Sequence, residues 1–280
     1  MADLALGRII DAHVHCSGGR KDDLLRPYAK LNGLRYDLKE LLETMERHGV
    51  ASALLLSPPV GKGVPLANVE VVKLCEKSRD ALFPVFTVEP KDAAVKEALR
   101  LADGQRGFVK GFKIWLGYRK VFARDEVFRP LYDYAEEHKL PVLFHTGDTA
   151  SSTGSLAHAH PLTLDEVANE REDLRIVICH VGNPWILDTA ELLYKHTNVY
   201  ADISGLVVGG GGYSREYMRM LADRIGDAVY YAGGAEKLIF GTDYPVETHE
   251  NGLALVSMLR VTRADKEKIL WRNASRLYSI

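Results

Sequence analysis

Apolar positions along the chain follow two patterns that take turns. Short runs rich in Val, Ile, Leu and Phe read as buried strands. Between them lie longer stretches whose apolar residues recur at helical spacing. The strands so predicted cover residues 8–15, 51–56, 82–88, 107–114, 140–145, 174–180, 199–203 and 237–243. Helices are predicted over 38–48, 66–78, 93–102, 127–138, 164–168, 186–196, 216–232, 253–260 and 265–278. Boundary residues agree: Asp37 is placed to cap the first helix, Gly49 to stop it, and Pro58-Pro59 to close the second strand. The longest stretch without either pattern, 147–161, is rich in Ser, Thr and Gly and is expected to form a loop over the end of the fold.

Strands alternating with helices in this order over 280 residues predict an α/β fold of the (β/α)8 class, a TIM barrel occupying residues 1–280 as a single domain. A doubly wound open sheet is the alternative. With hydrophobic residues at 46%, the chain can bury one large core, and no internal repeat, low-complexity tract or Pro/Ser-rich linker marks a boundary. Lys and Arg number 36 against 38 Asp and Glu; the net charge of −2 gives no electrostatic reason to expect nucleic acid or an anionic membrane as partner. No apolar run reaches the length of a membrane span and the N-terminus lacks signal-peptide features, so a cytoplasmic protein is expected. Cys16, Cys75 and Cys179 are odd in number and form no paired ligand motif, which fits a reducing compartment better than a disulfide framework.

Candidate chemistry begins in the first strand. In Ile10-Asp11-Ala12-His13-Val14-His15, the alternation of an extended chain sets His13 and His15 on one face and Ile10, Ala12 and Val14 on the other. Paired imidazoles repel when protonated. When neutral they leave ring nitrogens unpaired, unless a cation or hydrogen-bond partners take up the lone pairs. Taken alone, the pair also fits two ordinary core or surface histidines. Repetition separates the readings. The strands over 140–145, 174–180 and 237–243 end at His145, His180 and Asp243, each followed closely by Gly or Pro. A barrel brings its strand tips to one mouth, and first and last strands are neighbours in a closed ring, so these tips are expected to converge.

These residues, together with Phe144-His145-Thr146-Gly147, Cys179-His180-Val181-Gly182, the segment from Asn198 through Tyr200-Ala201-Asp202-Ile203 to Ser204, Phe240-Gly241-Thr242-Asp243-Tyr244-Pro245 and Asn273-Ala274-Ser275-Arg276-Leu277, resemble the amidohydrolase superfamily. Its amidohydrolase-related branch, which includes aminocarboxymuconate-semialdehyde decarboxylase, is the nearest match in motif. The resemblance covers nearly the whole chain. It implies one divalent metal, zinc with manganese or iron as alternatives, bound by His13, His15, His145 and Asp243 beside an activated water. Imidazole and carboxylate ligands in this ratio suit a borderline cation that keeps one position open and lowers the pKa of its water toward about 7. His180 is left as acid or base, with a further ligand as the alternative role, and Asp243 can also pass a proton to a leaving group.

Lys113, near the end of the fourth strand, bears on the metal count, because binuclear members of the superfamily carry a carboxylated lysine there. The reading preferred is a free amine at the rim, binding an anionic substrate, with one metal; a second metal is expected only if Lys113 is carboxylated. Arg119, with Arg20 and Lys21 in the first loop, is a candidate for contacting a substrate carboxylate, a solvated basic surface being the alternative. Asp202 is expected to orient a ligand histidine, and Cys179 to be a buried filler. His158 and His160 are not assigned to the metal, and the run Gly209-Gly210-Gly211-Gly212 is expected to be a flexible loop rather than a phosphate cradle. The function expected is a metal-dependent hydrolase attacking an amide, lactone or related carbonyl of a small carboxylated molecule. The alternative is a non-oxidative decarboxylase or hydratase at the same site. Decarboxylases of the branch frequently carry Glu where this chain has His13, which favours hydrolysis. The partner is a small-molecule substrate; a homo-oligomer is left open.

Overall fold

The computed structural model describes residues 8–17, 24–58, 64–209 and 214–280. Among them, β1 (Ile9–Val14), β2 (Val50–Leu56), β3 (Leu82–Thr87), β4 (Gly111–Ile114), β5 (Val142–Phe144), β6 (Ile176–Ile178), β7 (Val199–Asp202) and β8 (Leu238–Ile239) pair in parallel, each with the next in the chain. Backbone bonds from Ala12 N to Phe240 O, Asp243 N to His13 O and His15 N to Tyr244 O close β8 onto β1. The result is the expected (β/α)8 barrel. The open-sheet alternative is excluded, because its first and last strands do not exchange such bonds.

Helices lie between the strands: α1 (Arg26–Leu31), α2 (Leu38–Arg47), α3 (Val64–Glu76), α4 (Asp92–Asp103), α5 (Arg129–Glu137), α6 (Leu156–Ala159), α7 (Asp165–Glu170), α8 (Ile186–Lys195), α9 (Arg215–Tyr231), α10 (His249–Met258), α11 (Arg263–Glu267) and α12 (Asn273–Tyr278). The Asp37 carboxylate accepts from Glu40 N and caps α2 as expected. Two short helices were not anticipated. α1 is only six residues long, with Pro27 in its first turn, and α6 sits within the stretch expected to be irregular. Such short segments carry too little periodicity to stand out from a loop. Among the described residues, no helix is long and apolar enough to cross a membrane.

Alternation within the strands sorts their side chains into two packed layers. Ala53, Leu55, Phe112, Ile114, Phe144 and Ile178 pack outward against the helices, while Leu54, Leu56, Val85, Leu143, Val177, Cys179 and Ile239 fill the interior. Ala274, Leu277 and Tyr278 of α12 join the interior layer near the strand starts, where Arg175 donates to Leu277 O. This closes the end opposite the strand tips.

β1 departs from simple alternation. Ile10 and Ala12 belong to the interior layer and Val14 to the outer one, and the pairing with β2 shifts register between Asp11 and Val14. Alternation from the sequence set all three on one face, opposite the histidines. The register shift instead lets Ala12 and then His13 both turn inward, while Asp11 turns out to accept from Thr242 Oγ1 at 2.6 Å. The predicted tips also run on past their strands: β5, β6 and β8 end at Phe144, Ile178 and Ile239, so His145, His180 and Asp243 lie on the connecting turns just beyond.

Candidate metal centre and active site

At the strand tips, four imidazoles are each fixed through one ring nitrogen to an oxygen. His13 Nδ1 lies 3.0 Å from Asp202 Oδ2, His15 Nδ1 2.9 Å from Leu56 O, His145 Nε2 2.9 Å from Asp148 O, and His180 Nδ1 3.1 Å from Ser204 O. A backbone carbonyl or a carboxylate can only accept, so each of these nitrogens carries a proton, and in the neutral ring the opposite nitrogen is bare. The bare atoms face one another. His15 Nε2 is 3.0 Å and His13 Nε2 3.4 Å from Asp243 Oδ1, and neither nitrogen has a hydrogen-bond partner among the described residues. His145 Nδ1 stands 3.2 Å from His180 Nε2. Lone pairs aimed at a carboxylate oxygen, or at each other, at these separations are repulsive unless a cation lies among them. The donor set therefore fits a metal, and the N–H bonds on the far side of each ring are the supports that metal-ligating histidines require.

Of the four residues expected as ligands, His13, His15 and Asp243 come together, their ligating atoms all within 4.8 Å of one another. His145 stands outside that tight trio but reaches its edge through His180, whose ring is 5.1 Å from His13 and 4.9 Å from His145. Asp202, expected to orient a histidine, does so: besides His13 it accepts from His180 N at 2.9 Å, Ser204 N at 3.1 Å and Ser204 Oγ at 2.5 Å.

The electrostatics follow from burial among these charges. Burial, reinforced by His180 and Lys113, holds His145 well below the usual imidazole range. His180 is pushed down to about 4 by burial against the opposing pull of Asp243, with Lys113 and His13 adding to the shift. Both rings are thus neutral near pH 7, the form in which imidazole ligates or accepts a proton. Burial alone would raise Asp202 and Asp243. His13 and His180 outweigh it for both, with His15 helping at Asp243 and Lys113 at Asp202, so both carboxylates lie below their usual range.

A cavity of about 260 Å³ opens above these residues, lined by Trp115, Tyr118, His145 and His180 together with Leu25, Leu206, Val208 and Val246. Trp115 stacks on His145 at 5.7 Å and 17°, and its Nε1 donates to Thr87 Oγ1 at 3.2 Å. Gly205, at φ +65°, runs directly beneath the site: a Cβ there would lie 3.0 Å from Asp243 Oδ2 and 3.2 Å from His180 Nδ1. Only glycine combines that conformation with so close an approach.

The residues expected to meet an anionic substrate are placed elsewhere. Lys113 is not at the rim; it is fully buried, with Nζ 2.7 Å from Cys179 Sγ and 5.0 Å from the Trp115 ring. It points inward because β4 keeps its alternation, and Phe112 and Ile114 occupy the outer face. Arg119 is held in a two-pronged pair with Glu89, at 2.7 and 2.5 Å, and is not on the cavity wall. Arg20, Lys21 and Gly210 to Gly212 lie outside the described residues. His158 and His160 take local roles, His158 against Ser155 at 2.6 Å and His160 capping the turn at Leu162 N. Cys179 is buried as expected, yet its sulfur also stands within 4.8 Å of His13 and Asp202.

Sequence reasoning did not single out Ser204 as a site residue. Its hydroxyl lies 3.1 Å from His13 Nδ1 and 3.0 Å from His180 Nδ1 while donating to Asp202. The available signal was its place two residues after Asp202, on the same side of an extended chain. Trp115 and Tyr118, immediately after Lys113, gave no chemical signal; aromatic residues there read equally well as core.

A family model described as Amidohydrolase matches residues 10–280. No curated protein matches the sequence. Among solved structures, an uncharacterized TIM-barrel protein from Bordetella bronchiseptica superposes with a TM-score of 0.77 at 21% identity, over 97% of this chain and 98% of that one. A probable 2-pyrone-4,6-dicarboxylic acid hydrolase from Acinetobacter baumannii, with citric acid bound, gives 0.70 at 17% identity over 97% and 99%. A dihydroxybenzoic acid decarboxylase from a Polaromonas species, with bound manganese and the inhibitor 2-nitroresorcinol, gives 0.72 at 14% identity over 98% and 97%. At these identities the likeness extends to the fold.

Proposed function

The chain belongs to the amidohydrolase family, and on that footing we propose that it is a hydrolase holding one divalent metal ion on His13, His15, His145 and Asp243. Its reaction is cleavage of an amide, lactone or related carbonyl bond in a small, carboxylated molecule. The observation that carries the reading is the set of bare imidazole nitrogens at the strand tips, each ring fixed by its other N–H, gathered beside a depressed carboxylate. When bound, the metal polarises a carbonyl oxygen and acidifies water. Zn²⁺ is our first choice on the imidazole-rich donor set, with Mn²⁺, the ion in the Polaromonas structure, and Fe²⁺ as alternatives.

The chain's own groups supply the rest. His180 Nε2 is the bare nitrogen nearest the cavity that we do not assign to the metal, and its Nδ1–H bond to Ser204 O fixes which nitrogen accepts a proton. Asp243, ionised at neutral pH, can take a proton at Oδ2 and return it to the leaving group. Polar and apolar side chains both line the cavity, and a volume of about 260 Å³ suits a molecule of about one ring. Lys113, unmodified and 5.0 Å from the Trp115 ring, would oppose a second cation beside it by charge repulsion. We therefore place one metal per chain.

The deciding experiment incubates protein loaded with Zn²⁺ or Mn²⁺ with 2-pyrone-4,6-dicarboxylate, the neutral lactone dihydrocoumarin and 2,6-dihydroxybenzoate, following ring opening and released CO₂ separately. Metal-dependent ring opening supports the reading. CO₂ release without ring opening replaces it with the decarboxylase alternative, and no turnover of any probe by metal-loaded protein counts against both.

A further inference from the structure

Behind the cavity wall lies a buried acid that the proposed chemistry does not use. Glu247, in the turn between β8 and α10, is fully buried, and its Oε2 accepts from Leu206 N at 2.9 Å and Val207 N at 3.3 Å. Its Oε1 has no hydrogen-bond partner among the described residues and faces α10 at Gly252, where a Cβ would lie 3.4 Å away. A buried carboxyl with one oxygen unsatisfied costs stability that an apolar side chain of the same size would not.

We propose that Glu247 is a positioning residue that holds the strand-seven turn against the metal centre through the amides of Leu206 and Val207. That turn carries Ser204, which contacts His180 and His13; Gly205, which passes under Asp243; and Leu206 and Val208, which form the cavity wall. Gly205 N to Thr242 O at 3.3 Å and Gly209 N to Val246 O at 3.2 Å tie its two ends to the strand-eight turn, and Glu247 fastens the middle. The charged groups facing the carboxyl are Asp11 from β1, itself 3.3 Å from His249 Nε2 of α10, and Asp243 from the β8 tip. Both are acidic, and burial together with them raises Glu247 to about 8. In that neutral form Oε2 is a carbonyl accepting two amides, an arrangement that glutamine reproduces.

Two arms test the proposal. Hydrogen exchange at the Leu206 and Val207 amides is compared in metal-loaded wild type, Glu247→Leu, which keeps the volume but removes the acceptor, and Glu247→Gln. We expect roughly tenfold faster exchange at both amides in Glu247→Leu and recovery in Glu247→Gln. Should the leucine variant fail to fold, Glu247→Ala takes its place. The second arm rests on the hydrolase reading: with dihydrocoumarin as probe, Glu247→Leu raises KM roughly tenfold and Glu247→Gln restores it, with bound Zn²⁺ per chain the same in all three. Unchanged protection in Glu247→Leu overturns the proposal. So does exchange in Glu247→Gln as fast as in Glu247→Leu, or an unmoved KM once protection is lost. If wild type does not hydrolyse the lactone, that failure counts against the hydrolase reading, and the exchange arm alone decides the role of Glu247.

Discussion

Replacing Asp202 with Asn tests whether the metal centre depends on how its histidines are protonated. Oδ2 of Asp202 accepts from His13 Nδ1, and Oδ1 accepts from His180 N, Ser204 N and Ser204 Oγ. An amide keeps the Oδ1 role almost unchanged if its oxygen occupies that side. It then presents N–H to His13 Nδ1 where an acceptor stood. His13 answers by moving its proton to Nε2, the nitrogen that faces Asp243, and a protonated Nε2 cannot ligate. Loss of such a supporting oxygen typically costs 10–100-fold in metal affinity, about 1.4–2.7 kcal/mol at the usual conversion per tenfold change. Asp202 also carries a negative charge beside the histidines, and losing it beside a bound cation pushes the loss toward the upper figure. Competition of wild type and Asp202→Asn against a chromophoric chelator for Zn²⁺ gives the affinity ratio directly, while circular dichroism confirms the fold. A Zn²⁺ affinity within twofold of wild type in a folded Asp202→Asn protein would refute the argument that His13 is a ligand held in one tautomer by Asp202.

Three further outcomes are expected. His180→Asn retains its metal and loses roughly 10²–10⁴ in kcat, measured with elemental analysis and the probe that wild type turns over; a parallel loss of metal makes His180 a ligand instead. Glu247→Gln gains thermal stability over wild type as pH rises: the folded value of about 8 lies above the unfolded one near 4.5, so the wild-type contribution is intact below pH 4.5 and fades through pH 8. Differential scanning calorimetry of chelator-treated protein at pH 5 and 8.5 should show that gain growing by at most about 1.4 kcal/mol per pH unit, and a constant difference would contradict it. Lys113 remains a free amine, so native mass spectrometry finds no added CO₂; two metals per chain that both depart in Lys113→Ala would establish the binuclear arrangement.

The barrel, and the gathering of His13, His15 and Asp243 at its mouth, were legible because both rest on local pattern. Apolar runs leading to His145, His180 and Asp243 report a strand and the turn just past its tip together, and the alternating strand order admits few topologies. What was not legible depends on distance in sequence. Lys113 reads as a rim amine until β5 and β6 close over it and Cys179 meets its nitrogen. Arg119 reads as available until Glu89, on the turn after β3, pairs with it. Glu247 was overlooked for the same reason: a lone acid in a turn is ordinarily solvated, and only the fold shows that its partners are the amides of a turn from another strand.

The remaining difference concerns the backbone itself. His180 and Asp243 sit at φ 60° and 56°, and Val181 at φ 44°, a region disfavoured most for a β-branched residue. Together with the register shift in β1, these departures fall at the residues that face the proposed metal or adjoin one that does. Each such residue costs of order 1–3 kcal/mol, similar to what burying one large apolar side chain returns. The interior layer holds many such side chains, among them Leu54, Leu56, Val85, Leu143 and Ile239, so the fold sustains several strained positions at once. In β1 strict alternation would set His13 on the face opposite Ala12, and the shift in register lets both turn inward. The irregularity that defeated simple alternation in β1 is therefore what turns His13 toward Asp202 and Asp243.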